Sequence, residues 1–285
     1  MSFEKYIKKA ATLVEALPYI NKFNGQTVVI KYGGAAMTDL KLKESVIGDI
    51  ACLKAVGMNP IVVHGGGPFI NQALKNEGIE PVFKKGLRVT DINTINTVEK
   101  VLSGQVNKSI VSDFQKHGAP AVGISGKDGL LIEADKSDED LGYVGKIRKI
   151  NTKIIDTLIN SSFIPVISPI GTNQNGETFN INADHAAVEI AIELKASKLV
   201  FLTDTDGVRE DENDPSSLIF RITPEQINNM IENKNITGGM IPKVQSCARA
   251  VKSGVKSVHI INGKISHSLL LEIYTNDGIG TVIEE

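Results

Sequence analysis

Five stretches of the sequence combine charge or amide groups with glycine in ways that suit an anionic ligand. Lys31-Tyr32-Gly33-Gly34 closes a β-branched run, putting a cation and two side-chain-free residues where a strand hands over to a helix. Glycines let backbone N–H groups approach an anion, and a helix N-terminus adds partial positive charge. The plainer alternative is a tight turn beside a solvated lysine. His64-Gly65-Gly66-Gly67-Pro68 repeats the pattern. Three consecutive glycines are entropically costly, which points to a close contour around a ligand. His64 itself reads more readily as a structural hydrogen-bonder than as a catalyst.

In Gly86-Leu87-Arg88-Val89-Thr90-Asp91 an arginine sits between apolar neighbours. A guanidinium grips a carboxylate through two parallel hydrogen bonds, as a lysine cannot; an internal ion pair with an acid is the alternative. Asn180-Ile181-Asn182-Ala183-Asp184 is polar at every second position, so an extended chain turns these three side chains to one face. Asn182 or Asp184 could equally cap the helix that follows. In Gly238-Gly239-Met240-Ile241-Pro242-Lys243 a second lysine stands at a helix entrance. Alone it reads as solvated, but beside Lys31 it gives two cations converging on one phosphoryl group. Other chemistries fail on spacing. Gly123-Ile124-Ser125-Gly126-Lys127-Asp128 matches neither a P-loop nor a nucleophile elbow, no GxGxxG follows a strand, and no histidine belongs to an HExxH.

The elements that must hold these residues alternate along the chain. Strands are expected at 27–31, 60–64, 120–125, 164–168, 199–203 and 258–261, mostly apolar on both faces as buried parallel strands are. Amphipathic helices are expected at 40–56, 69–76, 95–116, 152–159, 186–196 and 244–252. Thr223-Pro224-Glu225-Gln226 spells a capping box for a helix ending near Asn233, and 130–150 reads as a hairpin that interrupts the parallel pattern. Alternation of this kind implies βαβ units in an α/β fold. Ligands bind such sheets beyond the carboxyl ends of the strands, which is where the charged stretches fall.

Composition narrows the field. A net charge of −2 and a pI near 6.2 over 285 residues argue against a nucleic-acid partner. No apolar run reaches membrane-span length and 1–23 lacks the pattern of a secretory signal, so no membrane is expected and a cytoplasmic location is. Cys52 and Cys247 are too few for a zinc site or disulfide framework and are expected as buried small apolar residues; no resident metal is expected.

Taken together, KYGG, VVHGGGP, KGLRVTD, AVGISGKDG, NINAD, LTDTDGV and GGMIPK resemble the amino acid kinase family, in its acetylglutamate kinase branch, from about Thr27 to the C-terminus. The resemblance implies a three-layer αβα sandwich around a mainly parallel sheet, with two lobes sharing one sheet. Residues 25–195 would bind the amino-acid substrate and 196–285 would hold ATP and an arginine site. The implied reaction phosphorylates the side-chain carboxylate of N-acetyl-L-glutamate in arginine biosynthesis, with Mg²⁺ carried by the ATP phosphates. Lys31 and Lys243 are then the cations on the transferring group and Asp184 the carboxylate that holds both. Gly65, Gly66, Arg88 and Asn180 would contact the substrate, Arg88 and Asn180 at its α-carboxylate. Gly33, Gly34, Asp204, Gly207, Asn235, Ile236 and Thr237 would contact ATP.

Two terminal features resemble arginine-sensitive members of the branch. A helix at 4–22, interrupted near Pro18 and striped by Tyr6, Ala10, Leu13, Leu17 and Ile20, would occupy the segment 1–24 and link dimers into a homo-hexamer, a trimer of dimers. The C-terminal HSLLLEIYTNDGIGT would help bind L-arginine, with Glu272 on its guanidinium, Lys198 on its carboxylate, and Tyr19, His267 and Gly278 completing the site. Rival readings are a family member acting on carbamate, aspartate, free glutamate or a nucleotide monophosphate, or a non-catalytic binding protein of the same fold.

Overall fold

A computed structural model of the chain describes residues 3–84, 86–137, 140–211, 214–275 and 278–285. Residue 85 of the KGLRVTD stretch and residues 276 and 277 of the C-terminal segment therefore lie outside it.

Buried parallel strands dominate because their sequences are apolar at nearly every position. The strands β1 (Thr27–Tyr32), β2 (Asn59–His64), β3 (Ala121–Ser125), β4 (Ile164–Ser168), β5 (Lys198–Thr203), β6 (Arg221–Ile222), β7 (Ser257–Asn262) and β8 (Thr281–Ile283) form one eight-stranded sheet in the order β6-β8-β7-β5-β1-β2-β4-β3. Every pairing is parallel except β7 with β8. Within β1 the alternation of side chains is strict: Val28 and Ile30 pack on one face and Val29 on the other. The covering helices on Val29's face are α6 (Lys153–Asn160), α7 (Ala183–Glu193), α8 (Pro224–Glu232) and α9 (Met240–Lys252). On the opposite face lie α2 (Leu40–Ala55), α3 (Gly67–Asn76), α5 (Asn107–Lys116) and α10 (Ser268–Ile273), with the end of α1 (Glu4–Phe23) packed through Phe23. A smaller sheet is built from Thr178–Asn180, Ile170–Thr172, Ile132–Lys136 and Gly145–Ile150. Its antiparallel pairing of Ile132–Lys136 with Gly145–Ile150 is the expected hairpin.

Several expectations need correction. The helix expected at 95–116 is α4 (Ile92–Glu99), a π-helical segment Lys100–Val106, and α5. Helix α1 runs on through Pro18 without a break. A proline removes one N–H, and the following turn is held by packing of Tyr19 and Phe23 on Tyr274. Cys247 is buried but Cys52 is exposed, because the inward stripe of α2 runs through Val46, Ile47, Asp49, Ile50 and Leu53 and leaves Cys52 outside it. Helix α7 begins at Ala183, not Ala186, so Asn180, Asn182 and Asp184 do not share one extended face.

Candidate active site

The chain order turns back at β1, which lies between β5 and β2, and the charged stretches meet at the carboxyl ends of these strands. Lys31 follows Val29 on the face covered by α7 and α9, so its ammonium meets both helices. Its Nζ lies 3.0 Å from Asp184 Oδ1, and Lys243 Nζ donates to Asp184 Oδ2 at 2.6 Å. Asn182 makes this possible by capping α7, its Oδ1 accepting from the N–H groups of Asp184 and His185. Asp184 is thereby freed from capping and faces the cations. Burial alone would raise the Asp184 pKa, but the two ammonium groups outweigh it and hold the carboxyl at about 2. Lys243 also sits 5.0 Å over the Phe201 ring.

Glycines set the approach. A Cβ on Gly33 would stand 2.9 Å from Lys31 Nζ and push the ammonium aside. Gly34 has φ of 68°, a left-handed conformation that favours glycine, and opens the helical turn Gly34–Met37. The next N–H, of Ala35, donates to Asp204 Oδ1 at 3.2 Å.

Two cavities adjoin this cluster, the first beside the β2 glycines and the second reaching Phe201 of β5 and the start of α9. One is lined by Gly65, Gly66, Arg88 and Asn180; the next by Asp184, His185 and Lys243; Gly86, Leu87 and Asn182 border both. Arg88 has no acid partner among the described residues. Its Nη2 donates to Asn71 Oδ1 at 2.6 Å, its guanidinium lies 4.8 Å over Phe83, and its Nη1 is buried with no partner. An amide partner leaves the positive charge of Arg88 uncancelled. Asn180 donates to Thr90 Oγ1 at 3.2 Å. Of the glycine pair, Gly65 commits its N–H to the Tyr32 carbonyl at 2.8 Å, so Gly66 is the one whose N–H has no partner among the described residues.

On the β5 side a third cavity gathers Asp204, Gly207, Asn235, Ile236 and Thr237, together with Asp206, Arg209, Met240 and Asn262. Asp206 accepts from both Asn262 and Arg209 at 2.7 Å. Apolar Val208, Ile236 and Met240 beside polar groups suit a base and sugar, and the cavity begins at Asp204, next to the glycine turn. Among the described residues no group of three or more His, Cys, Asp or Glu side chains gathers where it could hold a metal ion. Sequence reading passed over Asn71, Asp206, Arg209 and Asn262. Asn71 stands one helical turn after Gly67, a spacing that places it on the face of the glycine end.

A separate cavity brings together Tyr19, Lys198, Glu272 and Gly278, along with Lys22, Arg221, His259 and Glu284. His267 does not line it. Its Nδ1 bonds to the buried Asp49 at 2.7 Å and its N–H to Ser45, at the start of α10. The side chain that joins Lys198 to Glu272 is His259, with Nε2 accepting from Lys198 at 3.0 Å and Nδ1 donating to Glu272 at 2.7 Å.

Residues 26–262 match the sequence profile of the Amino acid kinase family. An acetylglutamate kinase of Caldanaerobacter subterraneus subsp. tengcongensis is 54% identical over 283 residues, spanning 99% of this chain and 95% of the relative. One from Methanocaldococcus jannaschii is 50% identical over 295 residues, spanning 99% and 98%. Among solved structures, N-acetylglutamate synthase from Neisseria gonorrhoeae, complexed with coenzyme A and N-acetyl-glutamate, superposes with a TM-score of 0.85 at 28% identity. That alignment covers 97% of this chain and 63% of the synthase, so the chain spans under two thirds of the synthase's length. A carbamate kinase from Giardia lamblia, at 18% identity and a TM-score of 0.68, shares the fold. The chain belongs to the amino acid kinase family, among its acetylglutamate kinases.

Proposed function

We propose that the chain transfers the γ-phosphoryl group of ATP to the side-chain carboxylate of N-acetyl-L-glutamate, as a step in arginine biosynthesis. One observation carries this reading: Lys31 and Lys243 meet on Asp184 between a cleft ending in Arg88 and a cavity beginning at Asp204. The acceptor fits the Arg88 side. The unpartnered Nη1 takes the substrate's α-carboxylate, and Asn180 helps hold nearby polar atoms. The nucleotide fits the other side, with its phosphates reaching the Gly33-Gly34 turn. On this reading residues 25–195 hold the acceptor and the Gly33-Gly34 turn, and residues 196–285 hold the rest of the nucleotide.

The chemistry needs no base. A glutamyl side chain with a pKa of about 4.3 is already ionised at pH 7. Its oxygen attacks the γ-phosphorus in line, the bond to the bridging oxygen breaks, and ADP leaves with that electron pair while an acyl phosphate forms. The obstacle is repulsion between two anions. Lys31 and Lys243 offset it with one more positive charge than Asp184 cancels, and positioning supplies the rest. Mg²⁺ arriving with ATP adds further charge neutralisation. ADP release would be followed with Mg-ATP and N-acetylglutamate, beside arms containing glutamate, aspartate and carbamate. Turnover confined to the acetylated substrate is expected; turnover of another acceptor, or none, defeats the reading.

The cavity around Lys198 and Glu272 is the proposed site of feedback inhibition by L-arginine. A neutral pair of opposite charges suits a ligand bearing both signs, and a second Neisseria gonorrhoeae synthase structure, 27% identical with a TM-score of 0.80, is complexed with L-arginine. Helix α1 leaves Tyr6, Leu13 and Leu17 at least half exposed, an apolar stripe without cover in one chain. It is proposed to pack against α1 of another copy and join dimers into a hexamer. Light scattering on the full chain and on one lacking residues 1–24 tests this, with an unchanged mass rejecting it. No described helix is long and apolar enough to cross a membrane; a cytoplasmic location is proposed from the biosynthetic role.

A further inference from the structure

We propose that His64 is a positioning residue for phosphoryl transfer, its ring clamping the Gly65 carbonyl so that the Gly66 N–H is turned into the cleft as a donor to the reacting oxygens. The inference rests on the phosphotransfer reading above and adds a residue that touches no substrate.

The ring is wholly buried at the end of β2, and its Nδ1 lies 2.8 Å from the Gly65 carbonyl oxygen. A carbonyl only accepts, so Nδ1 carries the hydrogen. Nε2 lies 3.2 Å from Asn107 Nδ2. The same Nδ2 reaches the carbonyls of Val166 at 2.9 Å and Ile124 at 3.3 Å, which identifies it as the NH₂ end of the amide. Nε2 therefore accepts, and the ring is the neutral Nδ1–H tautomer. Burial, opposed in part by the Gly65 bond, pushes the imidazole pKa down to about 4, so the ring stays neutral at ordinary pH.

Gly65 is thus held at both ends, its N–H by the Tyr32 carbonyl and its C=O by His64. Across a trans peptide the C=O and the following N–H point in opposite directions. With the carbonyl fixed toward the buried ring, the Gly66 N–H faces the cavity shared with Arg88 and Asn180. Asn107 follows the π-helical segment Lys100–Val106, and such bulges recur at functional sites. The same segment presses Leu102 against the glycine loop: a Cβ on Gly66 would stand 2.5 Å from its Cδ2. The irregular segment thus confines Gly66 through Leu102 and ends at Asn107, the residue that sets the tautomer of the ring orienting that amide.

The test pairs His64→Leu with His64→Asn, because an asparagine side chain can set an N–H close to where Nδ1 lies. Both are assayed with Mg-ATP and N-acetylglutamate, with melting temperatures measured alongside. His64→Leu is expected to lose about tenfold or more in kcat with little change in KM for the acceptor. His64→Asn should recover most of that loss. Full activity in His64→Leu, or equal losses in both variants, would overturn the proposal. Should His64→Leu fail to fold, ¹⁵N spectra of histidine-labelled wild-type protein, with His64→Asn to assign the signal, decide the geometry alone. A neutral Nδ1–H ring at pH 7 is expected, and an Nε2–H tautomer or an imidazolium overturns the clamp. If the ring is as assigned but the wild type turns over no acetylglutamate, the phosphotransfer reading fails and the donor role falls with it.

Discussion

Two carboxylates, Asp184 and Glu272, each sit among basic side chains at the edge of a cavity, yet their immediate partners leave different charge balances behind. Asp184 is 27% exposed and shared by two lysines. Glu272 is 3% exposed and has three donors, with one acceptor site left on the oxygen that faces His259: His259 donates to one oxygen, and the N–H groups of Ile279 and Gly280 donate to the other. Burial lowers the His259 pKa, and Lys198 reinforces its neutral form by donating to Nε2. Burial tends to raise the Glu272 pKa, but its three donors, His259 foremost, bring it down. Lys198 and Glu272 thus cancel through a neutral relay, whereas Lys31 and Lys243 exceed Asp184 by one charge. The surplus attracts a phosphoryl group; the balance suits a ligand that itself carries both signs. Residue type is nearly the same in the two places, and the count of partners separates the roles.

The largest effects should come from upsetting the surplus. Lys31→Ala or Lys243→Ala should lower kcat by about a hundred- to a thousandfold, as loss of one preorganised transition-state donor does. Folding should change little, since both side chains keep some exposure. Near-normal kcat in either variant would remove that lysine from the transfer step. Asp184→Asn should also lower stability, by about 2 kcal/mol, because two facing ammonium groups lose their shared anion. Urea denaturation of the variant measures it.

Acid separates the charged clusters next. Asp184 has a folded pKa of about 2, below its unfolded value near 4, so its contribution to stability is present above pH 4 and is lost only as pH falls toward 2. His64, at about 4 when folded against 6.5 when unfolded, gives the unfolded state the extra proton. Its contribution is present above pH 6.5 and is lost as pH falls to 4, on the order of 3 kcal/mol. His259, also lowered by burial, acts in the same direction. Urea unfolding at pH 7, 5.5 and 4 should therefore show declining stability while Asp184 is still ionised, and a flat profile would contradict the buried neutral rings. In the cleft itself, Arg88→Lys should raise KM for the acetylated substrate about tenfold or more while largely sparing kcat, because a lysine cannot present two parallel N–H bonds. An unchanged KM would take Arg88 out of substrate binding.

The central strands were legible because a strand buried on both faces is an apolar run, and Thr223 was legible because its capping box is local; both ends of that box are made. Strands β6 and β8 were not: runs as short as Arg221–Ile222 and Thr281–Ile283 carry no periodicity, and pairing alone makes them strands. The π-helical segment escaped because one extra residue per turn barely disturbs an amphipathic stripe. Of the candidate site, the charged stretches stood out by composition, while their partners depended on packing. Asn71 and Asp206 looked like ordinary polar residues until Arg88, Arg209 and Asn262 were placed beside them. His267 and His259 show the same limit: both lie near the C-terminal segment, but β7 turns His259 inward to Glu272 whereas His267 starts α10 and turns to Asp49.

The smallest expected effect tests whether balance of charge governs the second cavity. In Glu272→Gln the shape persists but one oxygen becomes an NH₂, so either His259 or the Ile279 and Gly280 amides face a donor, and Lys198 loses the larger of its two acidic counter-charges, keeping Glu284. With one acid fewer against Lys22, Lys198 and Arg221, the cavity attracts the guanidinium of arginine less and keeps its attraction for the carboxylate. The concentration of arginine needed for half inhibition should rise about tenfold, one charged hydrogen bond's worth. Each variant is read as the ratio of its activity with arginine to its activity without, which separates a weakened effector site from weakened catalysis. An unchanged ratio in Glu272→Gln would mean that the carboxylate only ties the loop at Ile279 and Gly280 to His259. The acid facing the effector would then be Glu284, which lines the same cavity paired with Arg221.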